Sequence, residues 1–217
     1  MIYGVEKFFA PNFDVNKMRN EVLSDPNLLF KAFKKRIYEY YLKPAKKLPA
    51  FAQGVLCFTI IDFLAKIIIT DINQVKDYRE FFKNYFNKNS YRDPKKIYVG
   101  ERIVTFLVKE IKLFNNEDGY YFYEYVRNGL IHEGRVKCGC YLDNEIKVTV
   151  QKVNGVLKFN PNIVIKELKL WLEDYFQKIK KGKEVYEKLC DYVKKILDED
   201  LEAIKKRHEN DKFPCKK

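Results

Sequence analysis

The stretch FAQGVLCFTIIDFLAKIII, residues 51–69, constrains this chain more than any other part of it. A bilayer core calls for about 20 consecutive apolar residues, and this run nearly reaches that length. Asp62 and Lys66 interrupt it, however, and each would cost about 2.5–3.5 kcal/mol at membrane depth. Such a run belongs inside a folded protein, so it predicts a buried core helix over 49–70, opened by Pro49. The first residues, MIYGVEKFFAPNF, carry no basic segment followed by an apolar core. No signal peptide is expected, no membrane partner is implied, and the chain reads as soluble and cytoplasmic.

Helical spacing of apolar residues governs most of what surrounds that helix. After a loose start, NKMRNEVLSDPNLLFKAFKKRIYEYYLK has the helical period, with Ser24-Asp25-Pro26 as a cap followed by proline at the first helical position. Further helices are expected near 74–87 and 97–114, then over 120–133, where Gly134 stops the helix. The period changes once. Ile146, Val148 and Val150 alternate, Asn154-Gly155 supplies a two-residue turn, and Leu157 and Phe159 alternate back. Pairing across the turn sets Val150 opposite Phe159, and two strands need support from the helices. Beyond Pro161 the helical period returns and runs to Ile204; whether Gly182 breaks it into two helices is left open, since one glycine costs only about 1 kcal/mol. The expected fold is an all-α, up-and-down bundle with a small hairpin inserted at about 146–159. Residues 1–217 read as a single helical domain, with 183–217 as a candidate C-terminal arm.

Composition narrows the partners. Lys+Arg 42 against Asp+Glu 30 leaves +12, and the pI is about 9.3. That balance favours encounter with polyanions and makes RNA, DNA or an anionic membrane surface a candidate partner, though a basic surface also serves solubility alone. The runs KAFKKR (31–36), KPAKK (43–47) and KIKKGK (178–183) either track a nucleic-acid backbone or form solvated faces. Five cysteines, Cys57, Cys138, Cys140, Cys190 and Cys215, show no disulfide framework. Cys138 and Cys140 near His132 suggest a metal site, but a closed zinc site needs four ligands and no fourth lies nearby in sequence, so neither metal nor cofactor is expected.

The chain has only two histidines. His208 lies in the charged segment KKRHEND and is assigned no role. His132 lies in EYVRNGLIHEG (124–134), with Arg127 and Asn128 five and four residues before it. At about 100° per residue, Glu124, Asn128 and His132 fall on an arc beginning at Arg127, while Tyr123, Val126 and Leu130 face the other way. In the last helical turn the dipole favours a protonated imidazole, which suits acid–base work near neutral pH. His132 can move a proton, Arg127 can neutralise charge growing on phosphorus, and Asn128 can orient the ring or hold a phosphate oxygen. Tyr125 is the best stacking candidate within YYFYEY, and Arg135 and Lys137 are candidate RNA-binding cations beside the motif. Gly129 within the helix implies close approach by another backbone. Asp62 pairs either with Arg127, positioning it, or with Lys66 one turn away.

The segment RNGLIH, with four residues between Arg127 and His132 and Asn in the polar slot, resembles the signature of the HEPN superfamily. TIIDFLAK (59–66) is similar to an early helix of those proteins, and the resemblance covers roughly residues 20–180. It implies a bundle of four or five helices with the motif on a late one. It further implies a metal-independent endoribonuclease site, formed across a dimer through the motif helices and leaving 2′,3′-cyclic phosphate ends. Many such proteins are toxins or antiviral defence effectors, and some pair with nucleotidyltransferase antitoxins. One catalytic histidine per chain suits a shared two-fold site, because one imidazole cannot comfortably serve as acid and base together. The alternatives are a HEPN fold that binds RNA or nucleotide without cleaving it, and a purely interacting partner in a toxin–antitoxin pair.

Overall fold

Asp25 starts the first long helix as its sequence predicts. Its carboxylate accepts the Asn27 and Leu28 amides at 2.8 and 3.3 Å, and Pro26 occupies the first helical position. The structure is a computed structural model and describes residues 8–76, 78, 95 and 97–209. It is 71% helix and 9% strand, which makes the fold largely helical with two small β insertions.

In chain order the elements are β1 (Phe8–Ala10), β2 (Phe13–Asp14), α1 (Val15–Asn20), α2 (Pro26–Ile37), α3 (Lys43–Ala45) and α4 (Ala50–Ile68). There follow α5 (Val99–Thr105), α6 (Asn116–Tyr121), α7 (Asn128–Glu133), β3 (Cys140–Leu142), β4 (Val150–Val153) and β5 (Val156–Phe159). Two long helices, α8 (Pro161–Lys181) and α9 (Lys183–Glu209), complete the described chain. Wider, π-helical turns occupy Tyr38–Leu42, Phe106–Glu110 and Phe122–Arg127. The helix expected near 74–87 falls almost wholly outside the described residues, as does Cys215.

The chain divides into two compact units, one formed by residues up to Arg36 with those from Phe176 onward, the other by Ile37–Tyr175. In the first, β1 and β2 pair antiparallel through a turn at Asn12, whose φ is +67°. This hairpin lies where a loose start was expected; strands of three and two residues are too short to show alternation. Arg36 donates to the Phe9 carbonyl at 2.6 Å. Phe176 meets Phe30 and Phe33 edge-on at 5.2 and 6.0 Å between centroids. Helix α9 buries Leu189, Val193 and Leu197, and its Tyr186 hydroxyl donates to the Leu23 carbonyl at 3.1 Å. Gly182 does separate α8 from α9, yet the ladder passes through it: its amide donates to Lys178 and its carbonyl accepts from Tyr186.

In the second unit α4 is the buried helix its sequence predicts, with Cys57, Phe58, Ile60, Ile61, Leu64, Ala65 and Ile67 essentially inaccessible. By length and apolarity it is also a helix that could cross a bilayer, and half of that stretch is buried against its own chain. The hairpin has the expected register, Val150 opposite Phe159, and Asn154 and Gly155 both take positive φ, as a type I′ turn requires. Its strands are shorter than expected, with 146–149 irregular. A third strand was not expected. β3 lies parallel to β5, Cys140 opposite Leu157 and Leu142 opposite Phe159, so the insertion is a three-stranded sheet in the order β3-β5-β4. Three residues give a sequence no period to read.

Phe159 is where this sheet meets the helices. Its ring lies 5.1 Å from that of Phe122 and 5.9 Å from that of Phe114, and Phe122 in turn lies 4.5 Å from Phe58 of α4. Replacing Phe159→Ala should therefore lower unfolding stability by about 3–5 kcal/mol, the usual cost of emptying a buried aromatic site. Denaturant titration checks this; a loss under 1 kcal/mol would mean that the sheet is not anchored through this ring.

Candidate functional site

The motif segment belongs wholly to the second unit. Asn115 caps α6 by accepting the Asp118 amide at 2.8 Å. The helix then widens over Phe122–Arg127, where the Asn128 amide reaches back five residues to the Tyr123 carbonyl, and tightens again as α7. Phe122, Val126 and Leu130 are buried, which turns Glu124, Arg127 and Asn128 toward the half-exposed side.

Arg127 and Asn128 are brought together. The guanidinium donates to Asn128 Oδ1 at 2.9 Å, and Asn128 Nδ2 donates to Glu124 Oε2 at 2.9 Å. The Asn128 amide thus links a cation to a carboxylate, and both of its ends are fixed. Arg127 also lies over the Tyr123 ring, 5.7 Å from its centroid. Burial pushes the Tyr123 phenol's pKa up, opposed by the Arg127 charge and the Asn128 amide, so it stays neutral at physiological pH. Glu124 and Tyr123 received no role from the sequence. Glu124 was legible, since it precedes Asn128 by the four residues that put side chains in contact on a helix.

His132 is exposed and makes no hydrogen bond or ion pair among the described residues. It follows Asn128 by one helical turn, a rise of about 6 Å, on the same side of α7. The segment therefore presents a braced Arg–Asn–Glu group with an unengaged imidazole beside it. Ile131, next in sequence, is 47% exposed.

Gly134 ends the helix in the left-handed conformation, φ +63°, and the Gly134 and Arg135 amides both turn back to the Gly129 carbonyl. Glycine is the favoured residue for such a left-handed helix end. The chain then folds over its own helix, with the Lys137 amide donating to the Tyr125 carbonyl at 2.9 Å. Gly129 is explained here, and not by a partner chain. A Cβ at 129 would overlap the Arg135 carbonyl oxygen and press on the Lys137 stem. The close approach inferred from the sequence is real, but the approaching backbone is the protein's own.

The candidate RNA-binding residues are also engaged. Arg135 pairs with Glu133 at 3.0 Å, and Lys137 pairs with the other Glu133 oxygen. The Lys137 contact, with Arg135 in support, holds the Glu133 carboxyl below its ordinary range. Tyr125 stacks on Tyr121, centroids 5.6 Å apart and planes 16° apart, so one of its faces is already covered. Asp62 pairs with Lys66 at 2.7 Å, which settles the open choice against Arg127. Cys138 is exposed and Cys140 buried, with burial pushing the Cys140 thiol up to about 11. Among the described residues no three His, Cys, Asp or Glu side chains gather as a metal site would require.

No known family, curated protein or solved structure matches this chain. Its own geometry carries the functional argument.

Gly129→Ala should destabilise the protein by about 1–3 kcal/mol, the range for forcing atoms into a filled site. It should also loosen the 134–137 turn. Urea titration and amide exchange at Lys137 test this; a neutral substitution would show that the turn is not seated on the helix.

Proposed function

We propose that this protein is a metal-independent endoribonuclease of HEPN type, acting on single-stranded or looped RNA. The observation that carries the reading is the braced Arg127–Asn128–Glu124 group beside the unengaged His132, at a helix end closed by Gly134. A free 2′-hydroxyl in unpaired RNA attacks the adjacent phosphorus, and the bond to the 5′-oxygen breaks. One imidazole takes the hydroxyl proton while a second, protonated, gives one to the departing oxygen. Arg127 meets the charge on the phosphoryl oxygens, its direction set by Asn128. The products are a 2′,3′-cyclic phosphate and a 5′-hydroxyl.

With His132 the one catalytic histidine of each chain, two imidazoles call for two chains, so the proposal includes an isologous homodimer with the motif helices facing. Exposed Ile131 beside His132 supports such a contact, whereas Gly129, seated on its own chain, no longer does. An up-and-down bundle, cytoplasmic action and pairing with a nucleotidyltransferase-type antitoxin are the finer parts of the same proposal. One observation favours binding without cleavage: Arg127, Arg135 and Lys137 are each held by a side chain of their own protein. That reading expects RNA to be retained intact.

Labelled RNA incubated with protein and excess chelator should yield cyclic phosphate ends. His132→Ala should lower the rate by about 10²–10⁴-fold while changing stability by under about 0.5 kcal/mol, because the side chain is exposed. Cleavage that stops in chelator, or a strictly monomeric protein that still cleaves, sinks the mechanism.

A further inference from the structure

Lys46 and Lys169 come together across one cavity of the second unit, which is lined by Tyr38, Glu39, Leu42, Lys43, Lys46 and Lys169 and has a volume of about 180 Å³. A single water needs only about 10–15 Å³ of such space. The cavity wall is the π-helical turn Tyr38–Leu42, a widened helix of the kind that recurs at functional sites. The carboxylates nearby are already engaged. Glu39 pairs with Lys43 at 3.1 Å, and Glu173 accepts the Tyr38 hydroxyl at 2.5 Å. Burial and Glu173 push the Tyr38 phenol up to about 12, which keeps it protonated and donating there.

No carboxylate among the described residues pairs with Lys46 or Lys169. The two lysines instead line one cavity, where burial followed by the Lys46 charge pulls the Lys169 pKa down. Two like charges in one cavity repel, and an ammonium has donors only, so neither can satisfy the other. Each has three N–H groups to offer, and what the pair lacks is one acceptor of opposite charge between them. Sequence alone gave half of this arrangement: Lys46 lies in KPAKK, but Lys169 is 123 positions away, on α8.

We propose that this cavity is a phosphate-binding site, in which Lys46 and Lys169 clamp one phosphate group from two sides. Tetrahedral, anionic oxygens match convergent ammonium donors, and the charge-assisted bonds formed are the strong ones. The phosphate comes either from a free phosphate ester or from an RNA backbone. The site does not depend on the ribonuclease reading, since neither lysine belongs to the motif helix.

Calorimetric titration in phosphate-free, low-salt buffer tests it, with inorganic phosphate, adenosine 5′-monophosphate and a short oligouridylate as separate probes. Lys46→Gln and Lys169→Gln should each bind phosphate about ten- to a hundredfold more weakly than the natural protein, while Lys47→Gln, outside the cavity, binds normally. Without phosphate both cavity variants should melt no lower than the natural protein, because each relieves the repulsion; this separates lost binding from lost folding. Tighter binding of the monophosphate than of oligouridylate identifies a free ester as the source. The reverse, with the salt slope reduced by about 0.7 per lysine removed, identifies a single-stranded backbone. Failure of all three probes to bind the natural protein, or equal binding by natural protein and cavity variants, overturns the proposal. RNA cleavage by His132 plays no part in the outcome.

Discussion

The cluster of Phe58, Phe114, Phe122 and Phe159 holds the second unit together. Phe58 comes from the core helix, Phe122 from the motif segment and Phe159 from the sheet, with centroid separations of 4.5 and 5.1 Å through Phe122. Aromatic contacts of this kind add about 0.5–1.5 kcal/mol each beyond the area they bury. Position matters more than sum here. Phe122 is the first residue of the widened turn, so its burial sets the rotation at which Glu124, Arg127 and Asn128 emerge. The polar group of the site is oriented by an apolar anchor on the opposite side of the same helix.

Local electrostatics at the motif run against the charge of the whole chain. The protein carries +12, yet each cation near the motif is matched: Arg127 through Asn128 to Glu124, and Arg135 and Lys137 by Glu133. Tethered cations keep a defined direction at the cost of part of their long-range field. Lys46 and Lys169 have the opposite arrangement: both line one cavity, and among the described residues neither is paired with a carboxylate. Net charge therefore says little about where an anion would settle. The distribution of carboxylates around the cations decides that.

The turn that follows the motif links the site to the sheet. Gly134 reverses the chain, Lys137 bonds to the motif helix, and Cys138 and Gly139 take positive φ before β3 begins at Cys140. The Cys140 amide closes that turn onto the Lys137 carbonyl at 3.0 Å, and β3 then joins β5 in parallel. The motif helix is thus fixed at one end by Phe122 and at the other by a strand. A side chain at the exposed end, His132, is left on a supported but unengaged position.

The sequence by itself determined the elements whose signals are local. Asp25-Pro26 began α2, the apolar run formed α4, Gly134 ended α7, and Asn154-Gly155 set the register of β4 and β5. Each depends on periodicity or on backbone preferences that act within a few residues. The same holds for Glu124 and Asn128, one helical turn apart. What needed long-range contact was hidden: β3 beside β5, the N-terminal hairpin, the two units, and Lys169 in one cavity with Lys46. Strands of three residues carry no period, and two lysines far apart in a lysine-rich chain carry no sign of meeting. Gly129 stands between the two cases. The need for close approach followed from a glycine inside a helix, but only the folded chain could decide that its own Arg135 carbonyl fills the space.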